Sequence, residues 1–259
     1  MEKKFAKLIK FNKIMGLLHF VQGIIMIFLA TNVIQKISEF QPVIVQFYQK
    51  FNFETKSLEN ASKELFTLPF GILVAAFLLI SAIAHFIIVL KEKDYVEGLE
   101  KGINKYRWFE YAISSSIMIV LIATLFGIRD IATLIVIFLA NAGMNLFGLD
   151  MELINLDSDK KKVNWGPFIW GSVVGIAPWI AIALYVTGMG SLELVPWFVW
   201  AIVITYFIAF NTFPINMILQ YKKIGKWKDY IYGERVFIIL SLVAKSILAW
   251  LVLFGAMQP

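Results

Sequence analysis

The sequence predicts an all-α membrane protein of seven transmembrane helices, and three observations carry that reading. Of its 259 residues, 59% are hydrophobic and only 16% are charged. Mean hydropathy is +0.75, which places the chain among membrane proteins before any motif is read. Seven runs reach or approach the ~20 apolar residues that a helix needs to cross a bilayer core. None of them alternates with period two, so a membrane β-barrel is not expected.

The runs lie at Ile14–Ala30, Thr67–Leu90, Tyr106–Phe126, Ile131–Leu149, Gly166–Val186, Val195–Gln220 and Glu234–Met257. They make one domain of residues 1–259. The first is the shortest and follows a basic arm, MEKKFAKLIKFNK. It lacks a small-residue cleavage site, so it is expected to stay as a first span rather than be removed as a signal. The polar segment 31–66 between the first two runs is the one long connection. It contains Val43-Ile44-Val45 and alternates roughly, which predicts a β-hairpin. The fifth and sixth runs contain Pro178 and Pro214, each freeing a carbonyl that a neighbour must satisfy. No repeat or low-complexity segment interrupts the pattern.

Charge placement predicts orientation. One set of alternate connections holds Lys3, Lys4, Lys7, Lys10, Lys13, Lys91, Lys93, Lys101, Lys105, Lys160, Lys161, Lys162, Lys222, Lys223, Lys226 and Lys228. The other set holds Lys36, Lys50, Lys56, Lys63 and Arg129. The positive-inside rule then puts the N-terminus in the cytoplasm and the C-terminus outside, in a multi-pass protein of the cell membrane. The net charge of +6 therefore reflects topology and does not point to nucleic acid. The absence of cysteine excludes a disulfide framework and a thiolate site. Asp150, Glu152, Asp157 and Asp159 in the fourth connection read as a solvated loop.

Few ionisable groups remain inside the spans. They are Lys245, Glu110, Arg107 near one end of the third run, and Glu234 and Arg235 at the edge of the seventh. The two histidines, His19 and His85, are there as well. Counted at 1.5 Å per residue, His19, His85 and Glu110 fall at one depth in the cytoplasmic half, on three different helices. Lys245 lies slightly deeper, near the middle of the seventh. A charged side chain at mid-bilayer costs about 2.5–3.5 kcal/mol or more. Lys245 is therefore either an ion-pair partner of Glu110 or a desolvated amine suited to condense with an aldehyde. In the second case Glu110, the carboxylate set deepest in the spans, is the natural anion for the resulting cation. Glu110 also shares a helix face with Arg107, three residues away, as a possible structural pair.

Ser241 is four residues before Lys245 and on its face; its hydroxyl either contacts that site or bonds back to the carbonyl of Phe237. Ser114, four residues after Glu110, offers a second polar contact. Asn141, Met144, Trp179, Phe207 and Phe210 in the fourth to sixth runs line a slot in one reading and pack as ordinary core or lipid-facing residues in the other. Beyond Lys245 the external half holds only small hydroxyls and amides. That argues against a proton relay on both sides of the lysine. No nucleophile–base constellation, metal-ligand cluster or Gly-rich phosphate loop is present, so neither an enzyme nor a metal site is expected.

Arg107-Trp108-Phe109-Glu110-Tyr111 together with Ser241-Leu242-Val243-Ala244-Lys245 resembles the heliorhodopsin family. The likeness extends over the whole chain and includes the inverted topology, the long first external loop and the intramembrane histidines. The resemblance implies a rhodopsin-like seven-helix bundle carrying all-trans retinal on Lys245 as a protonated Schiff base. It implies Glu110 as counterion, with Ser241 near the nitrogen and Tyr111 in the pocket. His19 and His85 would belong to a hydrated cluster that holds the proton, and Arg107 would help to order it. The external hairpin would support a homodimer. The implied function is light sensing through a slow photocycle without net pumping, read by an unknown cytoplasmic signalling partner. The alternatives are a light-gated or light-driven proton channel or transporter, and a membrane protein without retinal in which Lys245 and Glu110 are only an ion pair.

Overall fold

The computed structural model describes residues 3–33, 41–156, 163–188, 190, 193 and 195–256. Eight α-helices are described: α1 Lys3–Phe28, α2 Phe70–Leu90, α3 Glu92–Glu100, α4 Lys105–Leu125, α5 Ile131–Ile154, α6 Gly166–Gly188, α7 Trp197–Tyr221 and α8 Tyr230–Ala256. All but α3 are long and apolar enough to cross a membrane. α1 continues through a π-helical turn, Leu29–Val33, and a 3₁₀ turn at Gly225–Lys228 leads into α8. A two-stranded antiparallel hairpin, β1 Val43–Asn52 and β2 Ser57–Thr67, stands between α1 and α2. The expected bundle and hairpin are thus both present. Lys36, Asp157, Asp159, Lys160, Lys161 and Lys162 lie outside the described residues.

Three helical features go beyond the sequence reading. The basic arm is part of α1, which starts at Lys3 rather than near Ile14. Phe5, Leu8, Ile9 and Asn12, spaced for one face, are buried there. The apolar members join Tyr95 and Leu99 of α3 and Ile231 and Ile238 of α8 in a small core. The second connection is not a plain loop but α3, fastened where Lys105 donates to Asp94 (2.9 Å) and the Tyr106 hydroxyl donates to the same carboxylate. Finally, α5 runs to Ile154, one turn beyond the apolar run.

The hairpin packs onto the bundle through a few defined contacts. Ile44 is fully buried against the main core. Val45 donates its N–H to the Arg129 carbonyl at 3.0 Å. Asp130 caps α5, accepting from the N–H of Thr133 at 2.9 Å, while its other carboxylate oxygen accepts from Phe47 N–H at 3.4 Å. The strand turn places Lys56 at φ 51, and Asn52 Oδ1 accepts from the N–H of Glu54. That side-chain bond holds the turn without glycine.

The main core lies toward the hairpin end and is built from residues such as Met26, Phe70, Phe77, Ile119, Phe126 and Ile202. The two smaller clusters lie toward the opposite, lysine-bearing end. Buried titratable groups collect in that half. α1 and α2 pack closely because Gly16 and Gly23 present no side chain: a Cβ on Gly16 would stand 2.9 Å from His85 Cβ. Small residues drive such approaches in membranes, where no hydrophobic force separates helix from lipid. His85 Cβ is fixed to its backbone and has nowhere to retreat. Gly16→Leu is expected to force α1 from α2 and cost about 1–3 kcal/mol by overpacking, read as a lower thermal unfolding midpoint in detergent.

Candidate functional site

The site forms where α2, α4 and α8 meet. Lys245, at 3% exposure, uses all three of its ammonium protons. It donates to Glu110 Oε1 at 2.6 Å, Ser81 Oγ at 2.6 Å and Ser241 Oγ at 2.9 Å. Ser241 reaches it because four residues make one helical turn. The Ser81 hydroxyl lies 2.7 Å from Glu110 Oε1 and 3.0 Å from the Phe77 carbonyl, either of which accepts its proton. A buried charge needs this completeness, since each unmade hydrogen bond in an apolar setting retains its full desolvation cost.

Ser81 was not foreseen, although it stands four residues before His85 on the same helix face. Ser114 was expected to fill that role; its Oγ is buried without a hydrogen-bond partner. The histidines do meet: His19 and His85 stack with ring centroids 5.6 Å apart. His85 Nδ1 is 2.8 Å from Asn12 Oδ1, and Asn12 Nδ2 donates to the Tyr95 hydroxyl at 3.5 Å. Neither ring nitrogen of His19 has a partner among the described residues.

Arg107 is committed elsewhere. Its two terminal guanidinium nitrogens donate to Glu152 and to Glu234. Asn104 closes the cluster, donating its backbone N–H to Glu152 Oε2 at 2.8 Å and its side-chain amide to Glu234 Oε2 at 2.7 Å. Its Oδ1 meanwhile caps α4 by accepting from Arg107 N–H at 3.1 Å. Glu152 therefore does not belong to a solvated loop: it is 2% exposed. The added turn of α5 carries it inward, where the arginine requires an anion. Glu110 is not the partner of Arg107, and no hydrogen bond joins Arg107 to a histidine. Arg107 nonetheless shares the wall of a small cavity of about 30 Å³ with His85 and Glu110.

A second cavity of about 330 Å³ starts at Lys245 and runs between α4, α5, α6 and α7. Tyr111, Met144, Trp179, Phe207, Phe210 and Ser241 line it as expected, joined by Trp108, Phe213 and Phe237. Asn141 does not; it donates to Ser115 Oγ at 2.7 Å and Ser116 Oγ at 3.0 Å outside that lining. Tyr111 donates its hydroxyl to the Phe237 carbonyl at 3.0 Å, and its ring lies 5.3 Å from Lys245 Nζ. Glycine shapes two walls. A Cβ on Gly148 would fall 2.2 Å from Trp108, and one on Gly175 2.3 Å from Met144 Sδ. The result is an apolar, aromatic slot with one amine at its polar end and a carboxylate behind the amine. That donor set fits a long apolar aldehyde bound through a cationic nitrogen.

Removing one member of a buried ion cluster leaves bare charge. Arg107→Gln strands two carboxylates and is expected to cost about 3–5 kcal/mol, seen as a large fall in the unfolding midpoint in detergent.

Comparison with curated proteins gives no match. The heliorhodopsin family model matches residues 8–257, nearly the entire chain. With seven apolar helices and a slot ending on a buried lysine, the chain belongs to the heliorhodopsin family of retinal-binding, light-sensing membrane proteins.

Proposed function

We propose that this protein senses light through all-trans retinal held on Lys245 as a protonated Schiff base, with Glu110 as its counterion. The observation that carries this reading is the position of Lys245 Nζ: it closes the polar end of the aromatic slot and already rests against Glu110. Retinal, when bound, supplies light absorption and photoisomerisation. The chain's own residues do the rest. Glu110 balances the positive nitrogen, Ser81 and Ser241 orient the groups around it, and the slot excludes water from the polyene. Tyr111, Met144, Trp179, Phe207 and Phe210 set its shape. His19, His85 and Asn12 form the polar group that would take the proton as it leaves the nitrogen.

Among the described residues, the buried titratable groups all lie in the lysine-bearing half, and the hairpin half offers Ser116, Thr124, Asn141 and Asn145. This one-sided distribution supports a slow conformational photocycle without net pumping over a light-driven transporter. In the same reading, lysine asymmetry puts the N-terminus and this polar half at the cytoplasm, where a signalling partner would read the change. The hairpin would support a homodimer, and residues 1–259 act as one domain.

Two experiments test the assignment. All-trans retinal added to the expressed protein is expected to give a visible pigment, and Lys245→Ala to stay colourless; a colourless wild type overturns the reading. Glu110→Gln is expected to shift the absorbance to the red, because the carboxylate charge no longer stabilises the ground state. An unshifted spectrum would assign the counterion to another group.

A further inference from the structure

One set of buried charges has no part in holding retinal. Arg107, Glu152 and Glu234 carry one positive and two negative formal charges, at 6%, 2% and 0% exposure. With both carboxylates ionised the cluster bears a net negative charge in an apolar bundle, a strongly disfavoured state. The surrounding elements offer no second cation. α4 contributes Arg107, Trp108 and Tyr111, and its cap contributes Asn104. From α7 comes Tyr221, whose hydroxyl donates to the Met151 carbonyl at 3.0 Å. From α8 comes Tyr230, whose hydroxyl donates to Glu152 Oε1 at 3.4 Å. α3 contributes Tyr95, and α1 contributes Asn12 behind it. Lys245 is engaged by Glu110, and Lys101 and Lys105 pair with Glu97 and Asp94 at the surface.

The cluster also adjoins space for water. The cavity of about 30 Å³ has Arg107 and Asn104 on its wall together with Glu110, Ser81 and His85. That volume suits a single water molecule. Arg107 Nε is buried without a hydrogen-bond partner, so the cluster retains an unused donor.

We propose that Glu152 and Glu234 share one proton, which leaves the Arg107 cluster neutral, and that this proton exchanges with Glu110 through the small cavity. When it leaves, a carboxyl O–H bond of the pair breaks and a cavity water takes the proton while passing one of its own to a Glu110 oxygen. The pair then becomes fully ionised and Glu110 neutral, so one unit of charge is displaced across the gap. The proton belongs to the pair rather than to either residue. The pair would thus be a second proton-exchange site of the polar half.

Infrared spectroscopy of the full chain with ¹³C-labelled glutamate tests this. Without retinal, at neutral pH, wild type is expected to show a protonated glutamic C=O band that shifts with the label and in D₂O. Either Glu152→Gln or Glu234→Gln alone should abolish it, because one carboxylate and one arginine are already neutral. Glu110→Gln should keep it. Absence of the band in wild type overturns the proposal with no variant needed, as does a band that survives either substitution. With retinal bound, the light-minus-dark spectrum should change at this band; a coloured pigment whose band does not respond overturns the exchange. That last arm rests on the retinal reading, and a colourless sample would overturn that reading while the dark spectrum still decides the shared proton.

Discussion

A charge inside an apolar bundle must be neutralised within hydrogen-bond reach, and the arrangement of this protein follows from that requirement. Lys245 cannot snorkel to water from the middle of α8, so three helices converge on it. α2 brings Ser81, α4 brings Glu110, and α8 itself brings Ser241. The ion pair leaves this point of the bundle neutral while keeping a cationic nitrogen at the mouth of the slot. A lysine without Glu110 would be a desolvated amine, and a carboxylate without Lys245 would be the more costly of the two. Their mutual dependence explains why the polar groups are concentrated here while the hairpin half can be packed almost wholly with apolar residues.

The same requirement acts a second time one layer further toward the lysine-bearing end. There Arg107 draws Glu152 from α5 and Glu234 from α8, and Asn104 fills the remaining acceptors. Two ionic centres thus tie four helices together by electrostatics where lipid cannot help. The Tyr111 hydroxyl bond to the Phe237 carbonyl holds α4 to α8 between them. Aromatic rings cover the guanidinium: its carbon is 4.0 Å from the Phe237 ring and 4.6 Å from the Trp108 ring. Such contacts keep the arginine dry, and the carboxylates carry the charge balance.

Hydropathy made the spans legible, and depth counting brought His19, His85, Glu110 and Lys245 to one level, because both depend on the bilayer's thickness alone. What escaped depends on rotation about the helix axis or on helix length. Ser81 has the same four-residue relation to His85 that Ser241 has to Lys245, but serine looks inert in a hydropathy profile. Asn12 stands seven residues before His19 on the same face, inside a stretch whose lysines made it read as a solvated arm. Glu152 was assigned to water because polar residues lower hydropathy at a helix end whether they face solvent or an arginine. The slot was read from residue type and position, which found Trp179, Phe207 and Phe210 but also admitted Asn141, a residue that packs behind the wall.

Trp108 sits in the notch left by Gly148, with one face toward the slot and the other against Arg107. Its indole is therefore a partition one ring thick between an apolar chamber and an electrostatic one. Such a partition transmits shape as voltage: a displacement of the ring by a fraction of an ångström on the chamber side alters the screening of the guanidinium on the other. Neither side needs a continuous hydrogen-bonded wire to be informed of the other. The glycine that makes room for the ring is thus as much part of the signal path as the charges it separates.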